Sequence, residues 1–303
     1  MNLWKLNLSG VAILLICAPD LALDATPSID RWSPELQEAE PFESPFVTIF
    51  HYGEKRVCFV SSKHDPRPDS PTSRTIAAVI KECEPEILIL EGLPNIISES
   101  DREYFVRDAE NCEQNPDSYD CGELHWAIAE VKDAKTAIVG AEPVITEEME
   151  FIVEQSNGTL GLEDFVGYEI SRLIIQAKRQ EDFRIEDVPD LVVNHLEYLR
   201  SVLPETEQYD EASYRIWLEG EVGLSYSELE NSSYAPGNEE GSNLLQIMSY
   251  HSMLTRDHFA FERIQELLKD ADSIFVMYGS SHLATLRRAL TENSTHVVNK
   301  KYE

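Results

Sequence analysis

Apolar and polar positions first alternate with a strand-like period near residue 46. Phe46 to His51 and Arg56 to Ser62 read as two strands, and Tyr52-Gly53-Glu54-Lys55 between them reads as a hairpin-like turn. A proline-rich loop, 66–71, precedes a helix predicted from Thr72 to Cys83. The continuous run Ile87-Leu88-Ile89-Leu90 after Pro85 marks a strand covered on both faces. Helical periodicity follows over 98–110 and 123–132, and Thr136 to Val139 is a short buried strand ending at Gly140. From Thr146 to Leu268 helical patterns dominate; Leu191, Val192, His195, Leu196 and Leu199 fall on one helical face. A long charged helix is predicted over 245–269, a buried strand over 273–277, a helix over 283–290 and a last strand over 295–298.

Strands alternating with helices at both ends predict an α/β fold, with a central, mostly parallel sheet flanked by helices. The domain spans 46–303 and carries a large helical insertion over 146–245. Residues 26–45, rich in Pro, Ser and Glu, read as an N-terminal extension. No internal repeat and no low-complexity segment is visible.

Residues 1–25 read as a signal peptide: Lys5, then a mostly apolar Leu6–Ala18, then Pro19 and Asp20. Cleavage fits after Ala22 or Ala25. Cys17 follows Ile16, which is not small, and this argues against a lipoprotein anchor. No later apolar run is long enough for a membrane helix. Removal of the signal leaves Cys58, Cys83, Cys112 and Cys121, enough for two disulfides in an exported, periplasmic or extracellular chain. Cys112 and Cys121 flank a short polar loop and form a natural pair. Cys58 and Cys83 are then left to each other, or are small buried thiols.

Composition narrows the partners. With 42% hydrophobic residues the 303-residue chain can build a core, which excludes an all-disordered acidic protein. Its 56 acidic against 25 basic residues give a net charge of −31, which argues against a nucleic-acid partner.

The candidate chemistry collects at strand ends. His64 follows the second strand, Glu91 ends the Ile87–Leu90 run, Glu142 follows Gly140, and His282 follows Gly279-Ser280-Ser281. Ligand sites of parallel α/β sheets lie outside the carboxyl ends of the strands, so four segments deliver two imidazoles and two carboxylates to one edge. His64, Glu91 and His282 can form a three-ligand set for a divalent metal ion, manganese, cobalt, zinc or iron; without a metal, His64 or His282 can be a general base beside a carboxylate. Such an ion lowers the pKa of a bound water and polarises a carbonyl. Glu142 can orient the water or act as base. Arg256, on the helix before the buried strand at 273–277, can reach a carboxylate or a developing oxyanion. The free N–H groups at Gly279-Ser280-Ser281 can hold an anion.

These residues resemble the TraB/Tiki family, within the wider erythromycin-esterase-like and ChaN-like superfamily. The resemblance rests on Tyr278-Gly279-Ser280-Ser281-His282-Leu283 as a GxxH motif, preceded by Arg256-Asp257. It also rests on Ile89-Leu90-Glu91-Gly92 and on Gly140-Ala141-Glu142-Pro143. The first GxxH departs, since Ser61-Ser62-Lys63-His64 has serine where the family has glycine. The match covers 46–145 and 250–300. The resemblance implies an α/β core and a metal-dependent hydrolase of peptide or ester bonds, with His64, Glu91 and His282 on the metal and Arg256 and Glu142 in support. Two alternatives accompany it. One is a non-catalytic haem- or iron-binding protein that uses the same edge, with His195, Tyr209, Tyr214 and Tyr226 lining its pocket. The other is a metal-free esterase in which a histidine is the general base.

Overall fold

The computed structural model describes residues 28–65, 67–94, 99–116, 121–178, 183–229, 235–237 and 242–302. The signal peptide, its cleavage sites and Cys17 lie outside them. The helix α1 (Pro34–Glu38) precedes strands β1 (Phe46–Tyr52) and β2 (Lys55–Ser62), then α2 (Pro71–Cys83) and β3 (Ile87–Leu90). Next come α3 (Glu99–Gln114), α4 (Glu123–Ala129), β4 (Ala137–Val139), α5 (Ile145–Gln155), α6 (Leu162–Ala177) and α7 (Val188–Val202). The chain ends with α8 (Glu211–Trp217), α9 (Tyr226–Leu229), α10 (Leu244–Leu267), β5 (Ser273–Gly279), α11 (Ser280–Glu292) and β6 (His296–Lys300).

Among the described residues the strands form one six-stranded sheet in the order β4-β3-β5-β2-β1-β6. The fold is α/β as expected, but the sheet is mixed. β2, β3, β4 and β5 run parallel, whereas β1 is antiparallel to both β2 and β6. The cause is the tight turn at Tyr52-Gly53-Glu54-Lys55, where Gly53 takes a φ of +66°, a left-handed value that costs glycine little. A connection this short can only reverse the chain.

Packing explains the apolar runs. Every residue of β5 is buried, because the strand sits between β3 and β2 with helices on both faces. One face carries Phe59, Ile274, Val276 and Tyr278 against Ala260, Phe261 and Ile264 of α10 and Leu283, Leu286 and Leu290 of α11. The other carries Val60, Leu88, Leu90, Phe275 and Met277 against Ile76, Val79 and Ile80 of α2 and Ala127 and Ile128 of α4. Helices α5 to α9 share an apolar cluster with the start of α10, including Phe165, Ile170, Leu196, Leu199, Trp217 and Leu245.

Two disulfides are present, Cys58–Cys83 and Cys112–Cys121. The first ties β2 to α2 beneath the sheet, and the second ties the end of α3 to the start of α4. Among the described residues no helix is long and apolar enough to cross a membrane. The stretch after residue 27 is not a loose extension. Ser33 caps α1, Asp30 pairs with Arg288 at 2.9 Å, and Glu40 pairs with Arg287 of α11.

Candidate functional site

Register places the site. Ser62 of β2 pairs with Gly279 of β5, Leu90 of β3 with Met277, and Val139 of β4 with Ile89, so the four parallel strands end on one edge, stepped back by two residues at β3 and three at β4 relative to Gly279. The residues just past those ends are His64, Glu91, Glu142 and, one helical turn into α11, His282.

Glu91 is the centre. Its Oε1 accepts from Arg256 at 2.8 Å and its Oε2 accepts from the Gly279 N–H at 2.6 Å. Both imidazoles turn Nε2 toward it, His282 at 3.6 Å from Oε1 and His64 at 3.8 Å from Oε2. Arg256 also grips Glu142, with Nε 2.5 Å from Oε2 and a terminal nitrogen 2.8 Å from Oε1. Glu142 in turn accepts the Gly92 N–H at 3.3 Å. The helix that follows β5 begins at Ser280, earlier than its apolar pattern indicates, with Gly279 as its N-cap. The anion at that helix start is the Glu91 carboxylate itself.

Each imidazole is backed by a buried carboxylate. His282 Nδ1 lies 2.6 Å from Asp257 Oδ1, and the other Asp257 oxygen accepts the Thr285 hydroxyl at 2.6 Å. His64 Nδ1 lies 3.4 Å from Glu123 Oε2. Glu123 also accepts the Ser62 hydroxyl and, at 2.8 Å, the Asp65 N–H. One side chain of α4 thereby gathers Ser62, His64 and Asp65 at the end of β2 and in the loop after it. His64 pays for its position with a left-handed φ of +55°, and its N–H donates to Ser62 Oγ at 2.9 Å.

Serine in the first GxxH motif is explained by its place. Ser61 is still within β2, paired with Phe46 and Tyr278, and its hydroxyl shares a 2.6 Å hydrogen bond with that of Ser44. Nothing there requires glycine. Gly279 differs, because a Cβ at that position would stand 2.6 Å from His64 Nε2. The second motif's glycine makes room for the first motif's histidine.

The electrostatics follow from these contacts. Burial would raise the pKa of Glu91, but His282, Arg256 and His64 hold it well below the usual carboxylate range. Burial of Glu142 is likewise overridden by Arg256. Burial alone would lower His282, yet Asp257 and Glu91 push it up to about 10. Glu123 raises His64. Asp257 is raised by burial, with His282 opposing. Tyr278, fully buried, stacks edge-on to His282 with centroids 5.3 Å apart, and burial and Glu142 raise its phenol. His64 is the accessible member, its side chain 63% exposed against 5% for His282.

The five predicted residues, His64, Glu91, Glu142, Arg256 and His282, therefore come together. Sequence reasoning gave no role to Asp257 and missed Glu123. Glu123 leaves one signal: it shares the buried face of α4 with Trp126 and Ala127, an unexplained charge on an apolar stripe. His195, Tyr209, Tyr214 and Tyr226 lie elsewhere, in the helical layer. Tyr214 and Tyr226 stack there at 5.8 Å, and Tyr214 shares a 2.9 Å hydrogen bond with Ser171.

As placed, no group of three or more His, Cys, Asp or Glu among the described residues is arranged to hold a metal ion. Two donor separations of the predicted set, each to a different oxygen of Glu91, can be compared with those of a zinc site. Ligand atoms around a four-coordinate zinc stand about 3.3 Å apart, given bonds of about 2.0–2.1 Å. The two Nε2–Glu91 separations of 3.6 and 3.8 Å differ from that by a few tenths of an ångström. Small side-chain shifts and release of Glu91 Oε1 from Arg256 are needed. No protein-family model matches the chain, and no curated protein matches it.

Proposed function

We propose that the protein is a hydrolase of peptide or ester bonds, working at the edge where β2, β3, β4 and β5 end, with a divalent ion held by His64, Glu91 and His282. One observation carries this reading: both imidazoles have Nδ1 backed by a buried carboxylate and Nε2 turned to the same glutamate. Carboxylate–histidine backing fixes the tautomer and strengthens the free nitrogen as a donor. When bound, the ion supplies Lewis-acid polarisation of a carbonyl. The chain's own groups do the rest. Arg256 stands beside the ligand set to steady negative charge, Glu142 anchors Arg256, and His64 is open to an arriving substrate. The two disulfides support an exported protein in an oxidising compartment.

A second reading keeps the edge and drops the ion. Arg256 already pairs with both Glu91 and Glu142, and His64 is exposed with Glu123 behind it, which suits a general base for ester hydrolysis. The two readings separate in one experiment. Purified protein is assayed on fluorogenic peptides and nitrophenyl esters after exhaustive chelation and again with Mn²⁺, Co²⁺ or Zn²⁺ restored. Activity lost and then recovered supports the metal hydrolase, activity that survives chelation supports the metal-free esterase, and no hydrolysis under any condition removes both.

Gly279→Ala adds a check on the geometry. The new methyl displaces His64, which is free to swing outward, so thermal stability stays close to that of the parent protein. Hydrolysis falls about 10–100-fold, the effect of misplacing a reacting group by an ångström or so. Unchanged rates in that variant would show that His64 does not work from its observed position.

A further inference from the structure

We propose that the segment Asp30–Trp32 is a positioning element for the Asp257–His282 pair, acting through a single-water site behind Asp257. The segment precedes the sheet by more than a dozen residues and touches none of the five edge residues directly. It reaches them through α11: the Asp30 N–H donates to the Thr285 carbonyl at 3.0 Å, and the Thr285 hydroxyl donates to Asp257 Oδ2 at 2.6 Å. Asp257 then holds His282. Arg31 lies over the Tyr250 ring, 5.9 Å from its centroid, which docks the segment on α10 as well.

A small cavity lies where the segment, α10 and α11 meet. Trp32, Tyr250, Asp257 and Thr285 are among its walls, and it leaves about 10 Å³ for the centre of a water-sized molecule, room for one water. Two buried atoms of these lining residues, Trp32 Nε1 and the Tyr250 hydroxyl, have no hydrogen-bond partner among the described residues. Tyr250 is only 5% exposed. Buried donors of this kind take an internal partner or an ordered water. A water there accepts from the Trp32 N–H, meets the Tyr250 hydroxyl, and donates to Asp257. Each Asp257 oxygen already accepts one hydrogen bond and has a lone pair to spare. A third donor fixes the carboxylate plane, and with it the His282 ring.

The water site stands apart from the proposed hydrolysis, whereas its effect on ligand strength rests on that reading. The test uses crystal structures of the parent protein, Trp32→Phe and Tyr250→Phe, with Zn²⁺ titration calorimetry on each. Tyr250→Phe removes one hydroxyl only and guards against a misfolded Trp32 variant. In the parent, density for one water within hydrogen-bond distance of Trp32 Nε1 and an Asp257 oxygen is expected. In each variant the water is lost or displaced, the His282 ring shows alternate conformers, and Zn²⁺ affinity falls about tenfold, the low end for loss of a partner behind a ligand. A dry cavity, or a water that does not touch Asp257, overturns the proposal. So does a variant that loses the water while His282 keeps one conformer. If the parent binds no Zn²⁺, the metal reading fails alone and the crystal structures still decide this one.

Discussion

Arg256→Met is expected to destabilise the protein by about 3–5 kcal/mol, the usual cost of removing one partner from a buried ion pair. Arg256 makes three hydrogen bonds to two carboxylates, one to Glu91 and two to Glu142. Methionine matches the length of the stem but leaves Glu142 without its cation and Glu91 with only the two imidazoles. Burial, opposed at Glu142 chiefly by Arg256, then raises that carboxyl, while Glu91 rises less because His282 and His64 still hold it down. The sign of the pH dependence follows. In the parent, depressed folded-state pKa values contribute stability above the unfolded carboxylate range, and that contribution is lost as pH falls through the folded values. In the variant it is reduced, so the deficit is largest near neutrality and shrinks in acid. Urea unfolding at neutral and acidic pH measures it. A companion Arg256→Met/Glu142→Gln protein removes one stranded charge and recovers part of the loss. A deficit that did not change with pH would mean that lost packing of the arginine stem, not the charges, sets the cost.

Much of this site is visible in the sequence because a parallel sheet converts order along the chain into position in space. Ile87–Leu90 announces β3 by its unbroken apolar run, and the residue after such a run has only one edge to occupy. The same logic brings Glu142 and His282 to that edge. Local chemistry carries the cysteines too: a short polar loop pairs Cys112 with Cys121. What the sequence conceals is set by side-chain reach across elements. Asp257 is adjacent to Arg256 on α10, but the two side chains serve different partners, one across the sheet end and one on α11. Glu123 belongs to a helix whose period is plain and whose docking against β2 is not. The parallel character of the sheet is overestimated from the strand–helix alternation, although the hairpin turn that reverses β1 stands in the sequence. The helical patterns over 146–268 mark helices more plainly than their breaks, although Gly158, Gly161, Pro204 and Gly223 punctuate three of the four turns between α5 and α9.

His282→Ala is expected to lower hydrolysis by about 10²–10⁴-fold, the range for loss of a positioned acid–base or ligand group. It also destabilises the fold, because it leaves Asp257, 1% exposed, with Thr285 as its remaining side-chain hydrogen-bond donor among the described residues. Stranding a buried charge costs about 3–5 kcal/mol. The double variant His282→Ala/Asp257→Ala separates the two effects. Removing the stranded carboxylate restores a large part of the stability, less the cost of the cavity left by the ring and the carboxyl. It restores none of the activity, since the Nε2 that faces Glu91 is still missing. Asp257→Ala alone is expected to be nearly as inactive as His282→Ala, because residues that act as a unit lose their contributions together rather than additively. Initial rates and urea unfolding on the three variants, measured side by side, decide the matter. If Asp257→Ala kept full activity while His282→Ala lost it, the carboxylate would be a packing partner and not the group that orients the imidazole. If stability and activity recovered together in the double variant, the loss in His282→Ala would be one of folding, and the edge of the sheet would not be the place where the bond is broken.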